Sequence, residues 1–281
     1  MDEEDSTGRR AQFADEVRSA RPDLALLCLL VGAEADPLLG RHGIDAAQIE
    51  LDRLAGLLPF GITRARDWAQ ALAEVLGVRN GFRGSAGDYR RLESSLLHEV
   101  LHRRRGLPIL LSVVWIEVAR RAGAPVYGVA LPGHFVVGFG HPSDPPERQV
   151  LADPFDGGRL LTGEDAGLMV AGATGAPLDP ATLAPADPPA IVLRILHNIR
   201  AWAAARPERT DVQLWAIELS LLLPAHPARL RYERARLLVE RGEFLRGAAE
   251  MEEYAEVVAA VEPDTAETIR GRARSARAML N

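Results

Sequence analysis

Apolar residues crowd one short run of this chain from every side. Between Ile109 and Ala122 there is no Gly or Pro, and Ile109, Leu110, Leu111, Val113, Val114, Trp115, Ile116 and Val118 cover nearly the full circumference of a helix. A helix that is apolar all round belongs inside a core. Gly106 breaks the helix before it, Pro108 suits its first turn and Gly123 closes it. Three runs rich in Val, Phe and Leu follow, Val126–Leu131, Phe135–Phe139 and Gln149–Asp153, separated by Pro/Gly turns, and they read as strands. Arg159–Leu161 reads as a last strand, and Thr162–Asp165 as the cap of a short helix ending near Val170.

Upstream, helical periodicity returns. Ile44–Leu58 predicts a helix with Ile49, Leu51, Leu54 and Leu57 on one stripe, and Thr63–Leu76 one with Trp68, Leu72, Val75 and Leu76 inward. Residues 1 to about 10 are acidic and poor in apolar side chains, which predicts disorder. Phe13, Val17 and the run Leu24–Val31 predict two helices. Downstream, 171–189 is rich in Ala, Pro and Gly and reads as a linker. From Ala190 the pattern is helical to the end. Counted from Ala228, Ala235 and Gly247 fall at the tight positions of a 34-residue helix-pair repeat, and Leu238, Met251 and Tyr254 at large ones. The expected organisation is an acidic, partly flexible segment 1–22, a domain over 23–170, the linker 171–189 and a tetratricopeptide-like tail over 190–281. The fold class is α+β, helices packed on a small antiparallel sheet and then an all-α tail.

Candidate chemistry sits in the strands. A hairpin symmetric about the loop 140–147 sets Phe139 opposite Arg148 and His134 opposite Asp153, close enough for side chains to interact. A carboxylate on an imidazole fixes its tautomer and stabilises the imidazolium, which is the orienting half of a nucleophilic triad. The same two residues are also ordinary at strand ends. The blocks RRRGLPILLSVVWIEVARRAGAPVYGVALPGHFVV and ADPFDGGRLL resemble the transglutaminase-like superfamily, and in particular its SirB-type branch with a tetratricopeptide-like tail. That resemblance implies a papain-type core with a Cys-His-Asp triad, His134 on the His position and Asp153 on the Asp position. It also implies a cysteine at the start of the core helix, fifteen residues before Gly123. Pro108 stands there.

Other motifs add little. His98-Glu99-Val100-Leu101-His102 matches the H-E-x-x-H of zinc peptidases, with both imidazoles on one helix face. Arg103, Arg104 and Arg105 follow directly, however, and the helix stops at Gly106 with no further ligand. Cys28, inside LALLCLLVG, reads as core packing, with no polar group nearby to stabilise a thiolate. Ser112 reads as a hydroxyl bonded back to the carbonyl of residue 108, and Glu117 as half of an ion pair with Arg120 or Arg121. Gly77, Gly81, Gly84 and Gly87 punctuate a loop but do not form a nucleotide fingerprint.

Composition narrows the function. All 33 basic residues are Arg, so Schiff-base and P-loop lysine chemistry are excluded, and the net charge of −6 gives no general attraction for nucleic acid or anionic membrane. One cysteine forms no intrachain disulfide, and the acidic start lacks the pattern of a signal peptide, so a cytoplasmic location is expected. The leading expectation is a regulatory, protein- or peptide-binding protein with a retained His134–Asp153 pair, no nucleophile, no cofactor and no metal. The alternatives are an active hydrolase or acyl-transfer enzyme using His134 and Asp153, and a zinc peptidase at His98, Glu99 and His102.

Overall fold

Twelve α-helices and five strands make up the described residues, 3–144 and 148–279, of the computed structural model. The chain divides into two units, one over Met1–Ile195 and one over Leu196–Asn281. In the first, α1 (Glu3–Val17), α2 (Leu24–Ala35), α3 (Gly40–Ala55), α4 (Ala65–Leu72) and α5 (Leu97–Arg103) precede the core helix α6 (Pro108–Arg121). Strands β1 (Val126–Val129), β2 (Val136–Phe139), β3 (Val150–Asp153) and β4 (Arg159–Leu161) follow, then α7 (Gly163–Thr174), β5 (Pro185–Ala186) and the start of α8 (Pro188–Ala204). The sheet is antiparallel throughout, in the order β4-β3-β2-β1-β5.

The core helix is as buried as its pattern demands. Every residue from Pro108 to Ala119 is buried, and α6 packs against β1, β2 and the turn after β3. Gly128 lets it approach the sheet, because a Cβ there would meet Phe135 and Ile116. Tyr127, Val129, Val136 and Leu161 form the other core layer with Ala166 and Val170 of α7. Thr162 and Asp165 make a reciprocal capping box at the start of α7.

Several expectations need correcting. The acidic start is helical from Glu3, where its low apolar content predicted disorder. Phe13 and Val17 anchor that helix in the core, and its Arg10 pairs with Glu34 of α2. In α3 the buried stripe is Ala47, Leu51, Leu54 and, just beyond the helix, Leu58, while Ile49 and Leu57 face outward, 65% and 46% exposed. The stripe at i, i+4, i+7 and i+11 is the one a 3.6-residue period sustains. The helix predicted to Leu76 changes after Leu72 into a π-helical stretch, Ala73–Arg79. The stretch 171–189, expected as a linker, contains the end of α7, a short 3-10 turn (Pro180–Leu183) and β5, which extends the sheet beside β1. Its prolines fit because an edge strand need not donate every ladder bond.

The second unit holds the rest of α8, α9 (Thr210–Leu222), α10 (Arg229–Glu240), α11 (Phe244–Ala259) and α12 (Pro263–Ala278). Gly247 sits where a Cβ would meet Val239 and the Ala235 carbonyl, so α10 and α11 close tightly there. Ala235, Ala248, Met251, Ala255 and Ile269 form the core of that helix layer. Several of its arginines are held by glutamates, among them Arg234 by Glu218 and Glu250, and Arg236 by Glu240.

Candidate functional site

The sequence Leu131-Pro132-Gly133-His134 folds as its composition directs. The His134 N–H donates to the Leu131 carbonyl at 3.1 Å, and Gly133 takes a φ of +74°. Pro followed by a left-handed Gly is the signature of a type II turn. A Cβ on Gly133 would also press on Ala173 of α7. The turn thus delivers His134 at the threshold of β2.

The structure brings His134 and Asp153 together, with 3.0 Å between Nε2 and Oδ1. The route differs from the one expected. β2 and β3 pair Phe139 with Val150 and Val137 with Ala152, a register two residues away from the symmetric hairpin. The connection is ten residues, 140–149, of which 145–147 lie outside the described residues. A shift of two preserves which face each side chain takes, so the two residues become diagonal rather than direct neighbours, still within reach of a long side chain. Asp153 is 3% exposed, and its Oδ1 also accepts from the Phe155 N–H at 2.9 Å. The tautomer that satisfies both groups puts a proton on Nε2 as donor to Oδ1, which leaves a lone pair on Nδ1.

Three residues that sequence reasoning missed complete the surroundings. Arg194 of α8 donates to the carbonyls of Leu131 and His134, at 2.8 and 2.6 Å, so one guanidinium spans both ends of the turn. It also lies over the Phe135 ring, 5.5 Å from its centroid. Burial lowers its pKa. Phe155 sets its ring edge-on to both His134 and Tyr89. Burial and, after it, the charge of Asp153 push the Tyr89 phenol up, while Arg194 acts in the opposite sense. Tyr89 and Phe155 were hidden among turn residues, and Arg194 among the apolar positions of α8.

The turn after Asp153 is locked from beneath. A Cβ on Gly84 would fall 1.9 Å from the Phe155 ring, and one on Gly77 2.0 Å from the Gly157 carbonyl oxygen. Gly77 and Gly84 are therefore there for close approach, with the Gly84 N–H also donating to the Phe155 carbonyl.

Pro108 is the first residue of α6, and its N-cap, Leu107, offers no side-chain bond. Ser112 is fully buried and donates to the Phe135 carbonyl at 3.2 Å, not to residue 108, because that carbonyl reaches the helix from the neighbouring strand. This bond ties the first turns of α6 to the residue after His134. Glu117 is buried and paired with both Arg120 and Arg121. Cys28 is buried in α2. Burial, with Glu117 and Asp23 adding to it, drives its thiol far above the ordinary range.

The two histidines of the H-E-x-x-H match have different surroundings. His98 packs against Gly32 near the end of α2, and His102 is exposed. Asp36 lies 3.9 Å from His98 and favours its charged form, but burial dominates and lowers its pKa. Among the described residues, no group of three His, Cys, Asp or Glu is arranged to hold a metal.

Comparison with known proteins agrees with this architecture. Residues 45–197 match the transglutaminase-like superfamily, and residues 199–281 match tetratricopeptide repeats. The chain belongs to the transglutaminase-like superfamily. A UPF0162 protein of Xylella fastidiosa (strain Temecula1 / ATCC 700964) is 36% identical over 172 residues, 58% of this chain. The match spans only 60% of that relative's length. A UPF0162 protein of Vibrio cholerae serotype O1 is 26% identical over 194 residues, covering 67% of this chain and 70% of the relative. Such relatives are of the SirB-type branch. F-box only protein 21 of Mus musculus is 37% identical over 67 residues, 24% of this chain and 11% of that protein. Among the described residues, no helix of this transglutaminase-like chain is long and apolar enough to cross a membrane.

Proposed function

We propose that this chain is a non-catalytic, protein- or peptide-binding member of the transglutaminase-like superfamily, working in the cytoplasm, in which the His134–Asp153 pair persists as structure. The observation that carries the reading is Pro108 at the first position of α6. A helix N-terminus is where a thiolate is favoured, by the dipole and by free N–H groups. Proline brings no nucleophile there and removes one N–H. Neither Ser112 nor Cys28 substitutes. Ser112 has its proton committed to Phe135, and Cys28 is buried in α2 with a raised pKa. An oriented imidazole contributes about 10²–10⁴-fold to a proton transfer, but only where an acceptor nucleophile is present. Tetratricopeptide repeats in general mediate protein–protein contacts, which supports a binding role for residues 199–281.

The test compares wild type with Pro108→Cys, both in a Cys28→Ser background so that any thiol signal comes from residue 108. Amide and thioester substrates and a thiol-directed alkylating probe are the readouts. The expected outcome is no turnover by wild type, and a reactive thiol in the Pro108→Cys protein that weakens on His134→Ala. Turnover by wild type that disappears on His134→Ala would instead establish an active hydrolase and overturn the proposal.

A further inference from the structure

Around His134 the fold satisfies some polar atoms and leaves others open. Nε2 of the imidazole is taken by Asp153, but Nδ1 holds no partner among the described residues. Nη2 of Arg194 is taken by the Leu131 and His134 carbonyls, but its Nε and Nη1 hold none. None of these three open atoms is sealed from solvent. The Tyr89 hydroxyl holds no partner either, and that side chain is 53% exposed. We infer that His134, Tyr89 and Arg194 together bind the C-terminal carboxylate and last amide of a polypeptide. This site rests on the binding role proposed above and names the chemistry of its partner.

The three side chains share one neighbourhood. The Phe155 ring lies 6.0 Å from that of His134 and 6.1 Å from that of Tyr89, edge-on to both. Arg194 holds the His134 backbone directly, and the Tyr89 phenol feels the charges of both Asp153 and Arg194.

Arg194 sets the charge of the ligand. It is half-buried and has no carboxylate partner among the described residues. A charge taken partly out of water is ordinarily paired. Other half-buried arginines of this unit are, as Arg104 with Glu50, Arg105 with Asp88 and Arg121 with Glu117. The carboxylate close by, Asp153, is buried and its Oδ1 is shared by His134 and the Phe155 N–H, so it does not pair with Arg194. One guanidinium with one nitrogen already engaged matches a single negative charge better than a dianion. Donors on Arg194 and Tyr89 suit the two oxygens of a carboxylate. The Nδ1 lone pair is an acceptor and calls for an N–H on the same ligand. A chain terminus carries both within its last residue, and capture of such termini is a recurring mode of peptide recognition.

The full chain is titrated at constant pH and ionic strength with three probes, and the His134 ring nitrogens are followed by NMR. The probes are N-acetyl-Ala-Ala-Ala with a free carboxylate, N-acetyl-Ala-Asp-Ala amide, whose one charge is on a side chain, and acetate. A saturable shift of Nδ1 is expected with the free-acid peptide, and binding about tenfold or more weaker with the other two. Tyr89→Phe should weaken the free-acid peptide by about tenfold. The same variant should melt like wild type, since the hydroxyl bonds nothing among the described residues. No saturable shift, equal binding of the three probes, or undiminished binding by Tyr89→Phe overturns the site. Mass spectrometry of the recovered peptide separates this proposal from the non-catalytic reading. Intact peptide with no shift overturns the site and leaves that reading, whereas a saturable shift with a shortened peptide supports the site and overturns that reading.

Discussion

Arg194 shows how much one side chain can govern at a candidate site. Its two hydrogen bonds close the His134 turn, both from one charged guanidinium nitrogen, and together they are worth about 1.5–3 kcal/mol. Arg194→Met should keep the aliphatic packing on Phe135 and lose those bonds. The expected cost is about 2 kcal/mol in urea unfolding, with the His134 imidazole signals broadened in the NMR spectrum of the folded protein. A variant that melts like wild type with sharp His134 signals would show that the turn holds itself. The turn itself was legible, since Leu-Pro-Gly-His spells a type II bend. The guanidinium was not, because its partners lie 63 and 60 residues earlier in the chain. A periodicity reading of α8 marks position 194 only as polar.

At the scale of elements, the segment from Gly77 to Gly84 and the turn after β3 act as one block. Replacing Gly84 by Ala drives a methyl group into the Phe155 ring, and overpacking of this kind costs about 1–3 kcal/mol. Gly84→Ala should therefore lower the urea midpoint and weaken the His134–Asp153 contact, whereas Gly87→Ala, with only the Ser85 hydroxyl within 4 Å, should do neither. Equal stability of the two variants would count against the block. The sequence displayed these glycines without their reason, since close approach to a chain segment some seventy residues later leaves no local trace. The hairpin register was misread for a related reason. Alternation of apolar residues is blind to a slip of two, and it is the longer, ten-residue connection that sets the pairing. The core helix, by contrast, was plain from apolar residues around nearly its whole circumference.

For the whole molecule, acid should act in two stages. Burial depresses the pKa of His98, so as pH falls below the ordinary value near 6.5 the unfolded chain takes up a proton that the folded chain refuses, and stability declines. Lower down, hydrogen bonds from Arg53 and then Arg104 hold Glu50 at about 2 against an ordinary 4.5. Its contribution is complete above 4.5 and is lost as pH falls toward 2. His98→Gln should flatten the upper part of the stability–pH curve and Glu50→Gln the lower part, both measured by chemical denaturation at fixed salt. A variant curve parallel to that of wild type across its window would remove that residue from the account. Fold class and the helical tail were legible from hydrophobic period alone. The participation of β5 was not, because two residues in a proline-rich stretch carry no strand signal.

The diagonal meeting of His134 and Asp153 has a practical consequence. Two side chains that share a sheet face only when β2 and β3 are paired with this parity make the imidazole a gauge of hairpin assembly. A slip of one residue would carry Asp153 to the opposite face and release the ring. The ¹⁵N shifts of His134, which distinguish a proton on Nε2 from one on Nδ1, would then report, during refolding, the moment at which the strands lock into alignment.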